Sequence, residues 1–311
     1  MVNGIINIYK ESGYTSHDVV AKMRGILKQK KIGHTGTLDP DAIGVLPVCL
    51  GSGTKLCDML TDKSKEYEAK MLLGITTDTQ DTSGEIISKH EVEVTEEQVK
   101  EAILSFVGEY DQIPPMYSAL KVNGKKLYEL AREGKEIERK PRRVAIQNIE
   151  ILEIALPYVT MRVGCSKGTY IRTLCYDIGE KLGCGAAMAE LKRTRVGQFT
   201  LDTALKLSEV EALRDSGMLM EHIAAVDSAF EELDAVTIQD KFVRLIENGN
   251  SFYPNQIKEV VTKEGQVLSN RTSFQAGAEV RVYDATHKFY GVYAYDTSTR
   301  RFQPVKMFLE R

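Results

Sequence analysis

Between residues 158 and 183 the side-chain periodicity changes once, and that change limits the possible folds more than any other feature. In YVTMRVGC, Val159, Met161, Val163 and Cys165 take alternate positions, the two-residue period of a strand with one buried face. Past a turn at Gly168 the period lengthens, and Ile171, Leu174, Cys175, Ile178 and Leu182 share one stripe of a helix that Gly183 ends. A strand feeding an amphipathic helix belongs to a layered core of sheet and helices, not to a bundle or an all-β sandwich. The N-terminal part repeats the theme. GIINIYK reads as a strand. In the following TSHDVVAKMRGILKQK, Val19, Val20, Met23, Ile26 and Leu27 line a helix whose capping box is Thr15 with Asp18. YEAKMLLG and residues 83–94 read as strands, and TEEQVKEAILSFVGEY as a helix capped by Thr95 and Gln98. The class is α+β.

Residues 112–147 are basic and irregular, with room for a hairpin and a short helix in KLYELAREG, and are expected to form an excursion over a ligand. Acidic residues crowd 205–235, and a boundary is placed at 234. The last part, rich in short aromatic strands such as FYGVYAYD, is expected to be a small β-rich module over 235–311, after a larger domain over 1–234.

The net charge of −3 argues against indiscriminate nucleic-acid binding, but it hides two patches. Residues 22–31 carry Lys22, Arg24, Lys28, Lys30 and Lys31 and no acid; residues 121–143, starting at Lys121, carry nine basic residues against four acidic ones. Each segment is +5, suited to phosphate at a defined place. The five cysteines form no CxxC pair and sit among apolar neighbours, which fits buried free thiols in a reducing cytoplasm. Scattered histidines give no zinc spacing, so no metal is expected. No apolar run approaches the ~20 residues of a bilayer span.

The stretch GHTGTLDPDAIGVLPVCLG, residues 33–51, places Asp39 before Pro40 in a glycine-punctuated, mostly apolar segment. Proline steers the preceding residue away from helix, and glycines permit sharp turns, so Asp39 is expected on a kinked loop. A turn aspartate would satisfy this pattern as well as a catalytic one. GSGTK at 51–55 lacks phosphate-loop spacing, and DTQDTSGE at 78–85 lacks calcium-loop spacing and reads as a polar turn.

Together with KEYEAKMLLGITTDTQDTSGE, PPMYSALKVNGKKLYELAREG and CSKGTYIRTLCYDIGEKLG, that stretch resembles, in order and spacing, the bacterial tRNA pseudouridine synthase B family over about residues 3–200. The C-terminal module is similar to a PUA RNA-binding domain through GAEVRVYD, YGVYAYD and FQPVKMF. The resemblance implies a mixed, largely antiparallel sheet flanked by helices, an isomerase converting uridine 55 in the tRNA T-loop to pseudouridine, and no cofactor. It further implies Asp39 as nucleophile, with Tyr67 and Arg172 catalytic, and His34, Tyr170, Leu191, Lys10 and Lys121 at the substrate. Lys10-Glu11 stands where the family usually has Lys-Pro.

These roles meet the demands of the chemistry. The N-glycosidic bond must break, the base turn, and a carbon link form, and an ionised carboxylate can hold the separated fragments by attacking sugar C1′ or base C6. A desolvated aspartate needs a cation to stay ionised, and an arginine fork can both charge-pair and aim it. Tyr67 can stack on the extruded uridine, and His34 can fill the space it leaves. The partner is then a tRNA T-arm bound by a monomer. A second reading remains open, a tRNA-binding or tRNA-folding module in which Asp39 is structural. A hydrolase lacks a second catalytic group in the motif.

Overall fold

The computed structural model of the protein describes residues 1–122, 124–268 and 273–309; Asn123 in the basic excursion and parts of the C-terminal module lie outside them. The chain runs β1 (Gly4–Lys10), α1 (Ser16–Leu27), β2 (Ile32–His34), β3 (Ile43–Leu50), α2 (Cys57–Thr61), β4 (Lys65–Leu73), β5 (Ile75–Thr77), β6 (Ile86–Lys89), α3 (Glu96–Leu104) and β7 (Gly108–Gln112). It continues through β8 (Lys121–Val122), β9 (Lys125–Lys126), α4 (Leu127–Arg132), β10 (Arg142–Ala155), β11 (Tyr158–Cys165), α5 (Ile171–Leu182), β12 (Ala186–Val196), β13 (Phe199–Thr200), α6 (Leu207–Asp215) and β14 (Ile223–Ala224). The rest is β15 (Asp234–Ile238), α7 (Val243–Glu247), β16 (Ile257–Val261), β17 (Val267–Leu268), β18 (Glu279–Tyr283), β19 (Phe289–Asp296) and β20 (Arg301–Met307).

The large sheet has the order β14-β1-β3-β12-β4-β11-β10-β7, with β2 beside β3 and β13 beside β12. The fold is therefore α+β with a mostly antiparallel sheet. Its pairings are antiparallel except at β3 and β12, which run parallel through Lys192 opposite Ile43 and Arg193 opposite Gly44. This seam joins the two halves of the sheet, and the chain enters β3 there from the Asp39 loop. On one half, the alternate residues of β4 and β11 pack with Leu174, Cys175 and Ile178 of α5 and with Val99 and Ile103 of α3. On the other, Ile6, Ile8, Leu46 and Val48 bury Val19, Val20 and Met23 of α1. The period switch at 158–183 is thus the β11-to-α5 unit itself. Both expected capping boxes form, Thr15 with Asp18 and Thr95 with Gln98.

Two expectations are corrected. The strand read over 83–94 covers only Ile86–Lys89, because β5 offers just three residues to pair with it. The excursion read over 112–147 spans 113–141, since Gln112 and Arg142 face each other in the ladder of β7 and β10, where Val144 and Ile146 are buried. Leu191, placed at the substrate by the resemblance, lies on β12 opposite Ala69.

A second sheet, β17-β16-β15-β18-β19-β20, has its own core around Val236, Val260, Phe252, Tyr293 and Phe302. It packs on the back of the large sheet, where Val292 and Phe308 join Ile5, Val45, Cys49 and Phe230 in one cluster.

Candidate active site

Residues 35–42 form a loop held from below by two buried cations. Gly36 and Gly44 bracket it, with φ of 104° and 106°. Lys10, with none of its surface exposed, gives its Nζ to the carbonyls of Pro40 at 2.8 Å, Ala42 at 2.6 Å and Glu11 at 3.2 Å. Lys10, expected at the substrate, gives its ammonium to the backbone around Asp39. Burial lowers its pKa to about 8, against the pull of Asp41 and Asp39. Arg193 supports the other arm, donating from Nε to Val45 O at 2.7 Å and from Nη2 to Gly36 O at 3.2 Å. Ser16 Oγ accepts from Leu38 N at 2.9 Å, tying the loop to α1.

Asp39 therefore stands on a rigid loop, its side chain 42% exposed on one side and enclosed elsewhere. Burial pushes its pKa above the usual carboxylate range, and Arg172 opposes that push. The opposition is geometrically specific. Arg172 Nε lies 3.1 Å from Asp39 Oδ2, and Nη2 donates to Oδ1 at 3.4 Å, a side-on fork onto both oxygens. The remaining donors are also used. Nη2 donates to Tyr117 O at 2.8 Å, and Nη1 to Thr79 O at 3.0 Å and Asp81 Oδ2 at 3.5 Å.

Read off the apolar face of its helix, Arg172 looks exposed, yet its side chain is only 7% accessible. An arginine in the first turn of α5 opposes the helix dipole, so helix stability does not explain it. Its place is explained by what it holds together: the Asp39 loop, the 78–85 turn and the basic excursion.

Asp81 is the residue that sequence reasoning passed over. Its Oδ1 accepts from Thr79 Oγ1 at 2.7 Å and Ser83 Oγ at 2.6 Å, leaving Oδ2 toward Arg172. The turn is pinned to β12 by Thr82 N to Met188 O at 2.9 Å and Met188 N to Gln80 O at 3.0 Å. The signal was present in DTQDTSGE, but its polar spacing is equally that of a self-bonded turn.

Tyr67 sits mid-strand on β4, buried with Leu38 and Ala42 of the loop in one cluster. Burial raises its pKa, while the neighbouring Arg193 guanidinium acts the other way. Leu191 packs half-buried against that cluster. Tyr170 precedes α5, its N–H and carbonyl both held by the Gln112 side chain, at 2.8 and 3.0 Å. Burial raises its phenol pKa too, and the fields of Asp39 and Arg172 both reach it. His34 ends β2 and meets His17 edge-on at 5.3 Å between centroids. Burial, with His17 and Arg193 adding to it, lowers its pKa to about 4, so the ring is neutral near pH 7. Lys121 is exposed on the excursion's hairpin, away from the carboxylate cluster's hydrogen bonds. The structure thus brings Asp39, Arg172, Tyr67, Tyr170 and Leu191 to one side of the seam, with His34 beside it.

Comparison with known proteins identifies the family. Residues 24–171 match the pattern of the TruB family pseudouridylate synthase N-terminal domain, and residues 172–231 that of the tRNA pseudouridylate synthase B C-terminal domain. The tRNA pseudouridine synthase B of Lachnoclostridium phytofermentans is 51% identical over 99% of this chain and 100% of its own length.

This chain belongs to the TruB pseudouridylate synthase family.

The tRNA pseudouridine synthase B of Clostridium acetobutylicum is 45% identical over 94% of this chain and 95% of that protein. Among solved structures, a chain of an H/ACA RNP bound to a substrate RNA containing 2′-deoxyuridine superposes with a TM-score of 0.70 at 28% identity, covering 99% of this chain and 86% of the other. The two TruB patterns meet between Ile171 and Arg172, on the first turn of α5, inside the site rather than between structural units. Neither pattern covers the second sheet, whose first strand begins at Asp234.

Proposed function

We propose that this chain converts uridine 55 in the T-loop of tRNA to pseudouridine, with Asp39 as nucleophile and no cofactor. The observation that carries the reading is the side-on fork of Arg172 on Asp39, 3.1 and 3.4 Å, from a buried helix-start arginine. That contact keeps a desolvated carboxylate ionised and aims it, which nucleophilic attack at the glycosidic carbon or the base requires. Asp81 holds the far edge of the guanidinium and so fixes the fork's orientation. Tyr67 lies beneath the extruded uridine, where a ring supplies stacking of roughly 1–3 kcal/mol toward the cost of flipping. Tyr170 and Leu191 line the pocket, and a neutral His34 ring fills the gap in the loop's stack.

Lys121 and the basic excursion take phosphates of the T-arm, as does the 22–31 segment. The chain divides into a synthase domain over 1–234 and a PUA-like RNA-binding module over 235–311, acting as a monomer on one tRNA. In support, the curated relatives over nearly the full length are named tRNA pseudouridine synthase B.

The test is tritium release from an unmodified T-arm stem-loop labelled at uridine C5, in buffer and salt alone. One equivalent is released by the wild type and none by Asp39→Asn, which binds the RNA with an affinity within about threefold of wild type because the amide is isosteric. Tight binding without release by the wild type would leave an RNA-binding module with a structural Asp39.

A further inference from the structure

Arg193 is among the largest fully buried side chains of the described residues, and its guanidinium donates hydrogen bonds to two backbone carbonyls. Its position is unusual in three ways that coincide. Along the backbone it is the register residue of the seam, paired with Gly44 of β3 on one side and with Tyr67 of β4 on the other. The approach to Gly44 is so close that a Cβ there would stand 2.2 Å from the Arg193 carbonyl oxygen. Immediately after Arg193 the β12–β4 register shifts, so the chain bulges at this point, a device that re-aims a side chain. Its side chain then reaches back under the Asp39 loop to Gly36 on one arm and Val45 on the other, passing the Tyr67 ring, whose hydroxyl feels its charge.

We propose that Arg193 is a positioning residue for the reaction: by binding Gly36 and Val45 while sharing the face of Tyr67, it sets where Asp39 and Tyr67 stand relative to each other. The proposal rests on the reading of Asp39 as nucleophile. It assigns Arg193 no contact with RNA. Lys10 holds the crest of the same loop through Pro40 and Ala42, so the loop is fixed at crest and base by different cations. Only Arg193 also touches the strand that carries Tyr67. The planar guanidinium presents Nε and Nη2 to the Val45 and Gly36 carbonyls at a fixed separation, which the single nitrogen of a lysine at this position does not reproduce.

The experiment uses full-length Arg193→Lys, with Asp39→Asn alongside, and measures single-turnover tritium release at saturating enzyme, tRNA affinity and the unfolding midpoint. For a folded Arg193→Lys, the rate falls about 100-fold, the scale set by a displacement of about 1 Å in a reacting pair, while affinity stays within about threefold. A rate within about threefold of wild type overturns the proposal, as does a loss of affinity equal to the loss of rate. A variant without a cooperative unfolding transition also overturns it, because Arg193 would then be a fold anchor and nothing more. If instead Asp39→Asn turns over like the wild type, the nucleophile reading fails, and that result is separable from any behaviour of Arg193→Lys.

Discussion

At Asp39 two opposing influences meet: burial favours the protonated acid, and the Arg172 fork favours the carboxylate. For the proposed nucleophile the reactive form is the ionised one, so the rate is expected to fall as pH drops through a pKa that already lies above the ordinary aspartate value. Removing the cation takes away the largest opposition to burial. Arg172→Met therefore moves the acid limb of the single-turnover profile to higher pH and lowers the plateau, by about 100-fold or more for a lost charge-assisted pair. An unmoved limb would mean that Arg172 serves only to tie loops together. Asp39 and Arg172 are singled out in the sequence only through the family resemblance, because a turn aspartate before proline and an exposed arginine at a helix start satisfy the same local patterns. Asp81 and Arg193 are not singled out at all. The first is hidden in a self-bonding polar turn, and the second sits in LKRTRV, where three cations in four residues read as an exposed basic strand. Lys10 was legible as special but not in its role, since nothing local says that its ammonium faces backbone carbonyls 30 and 32 residues on.

Among elements, the seam of β3 and β12 carries the site, and its glycine is the most exacting position. Gly44 has φ of 106° and no room for a Cβ against the Arg193 backbone. Gly44→Ala accordingly destabilises the protein by at least about 2 kcal/mol, read as a lower urea midpoint, and reduces activity further by displacing the loop. An alanine variant as stable as the wild type would show that the seam yields. Strands and helices with one apolar face were readable from period alone. The seam was not, because parallel pairing between positions 149 residues apart leaves no local trace. The extent of the excursion was blurred by charge: Arg142 and Arg143 open a core strand, yet look continuous with the basic loop before them.

For the whole molecule, the decisive contact is between the second sheet and the back of the first. Phe308 and Val292 share a buried cluster with Ile5, Val45 and Cys49, the last three on the strands that lead into the site. The two sheets should unfold together. Phe308→Ala, costing about 3–5 kcal/mol, lowers the midpoint of one calorimetric transition and does not split it into two. Two separate transitions would make the module an independent passenger. The module's existence was legible from its aromatic strands, but its seat was not, since the residues that dock it are spaced like ordinary core.

The sheet order has a further consequence, for synthesis on the ribosome. β3 and β4 follow one another along the chain yet never touch edge to edge, because β12, made more than a hundred residues later, lies between them. A nascent chain must therefore keep both edges from closing on each other or on a neighbour. Asp39 meanwhile waits for an arginine 133 residues downstream, roughly 7–27 s at ordinary elongation rates. Until that strand is threaded home, the emerging protein is two half-sheets with an unfilled slot, and Asp39 stands without its guanidinium.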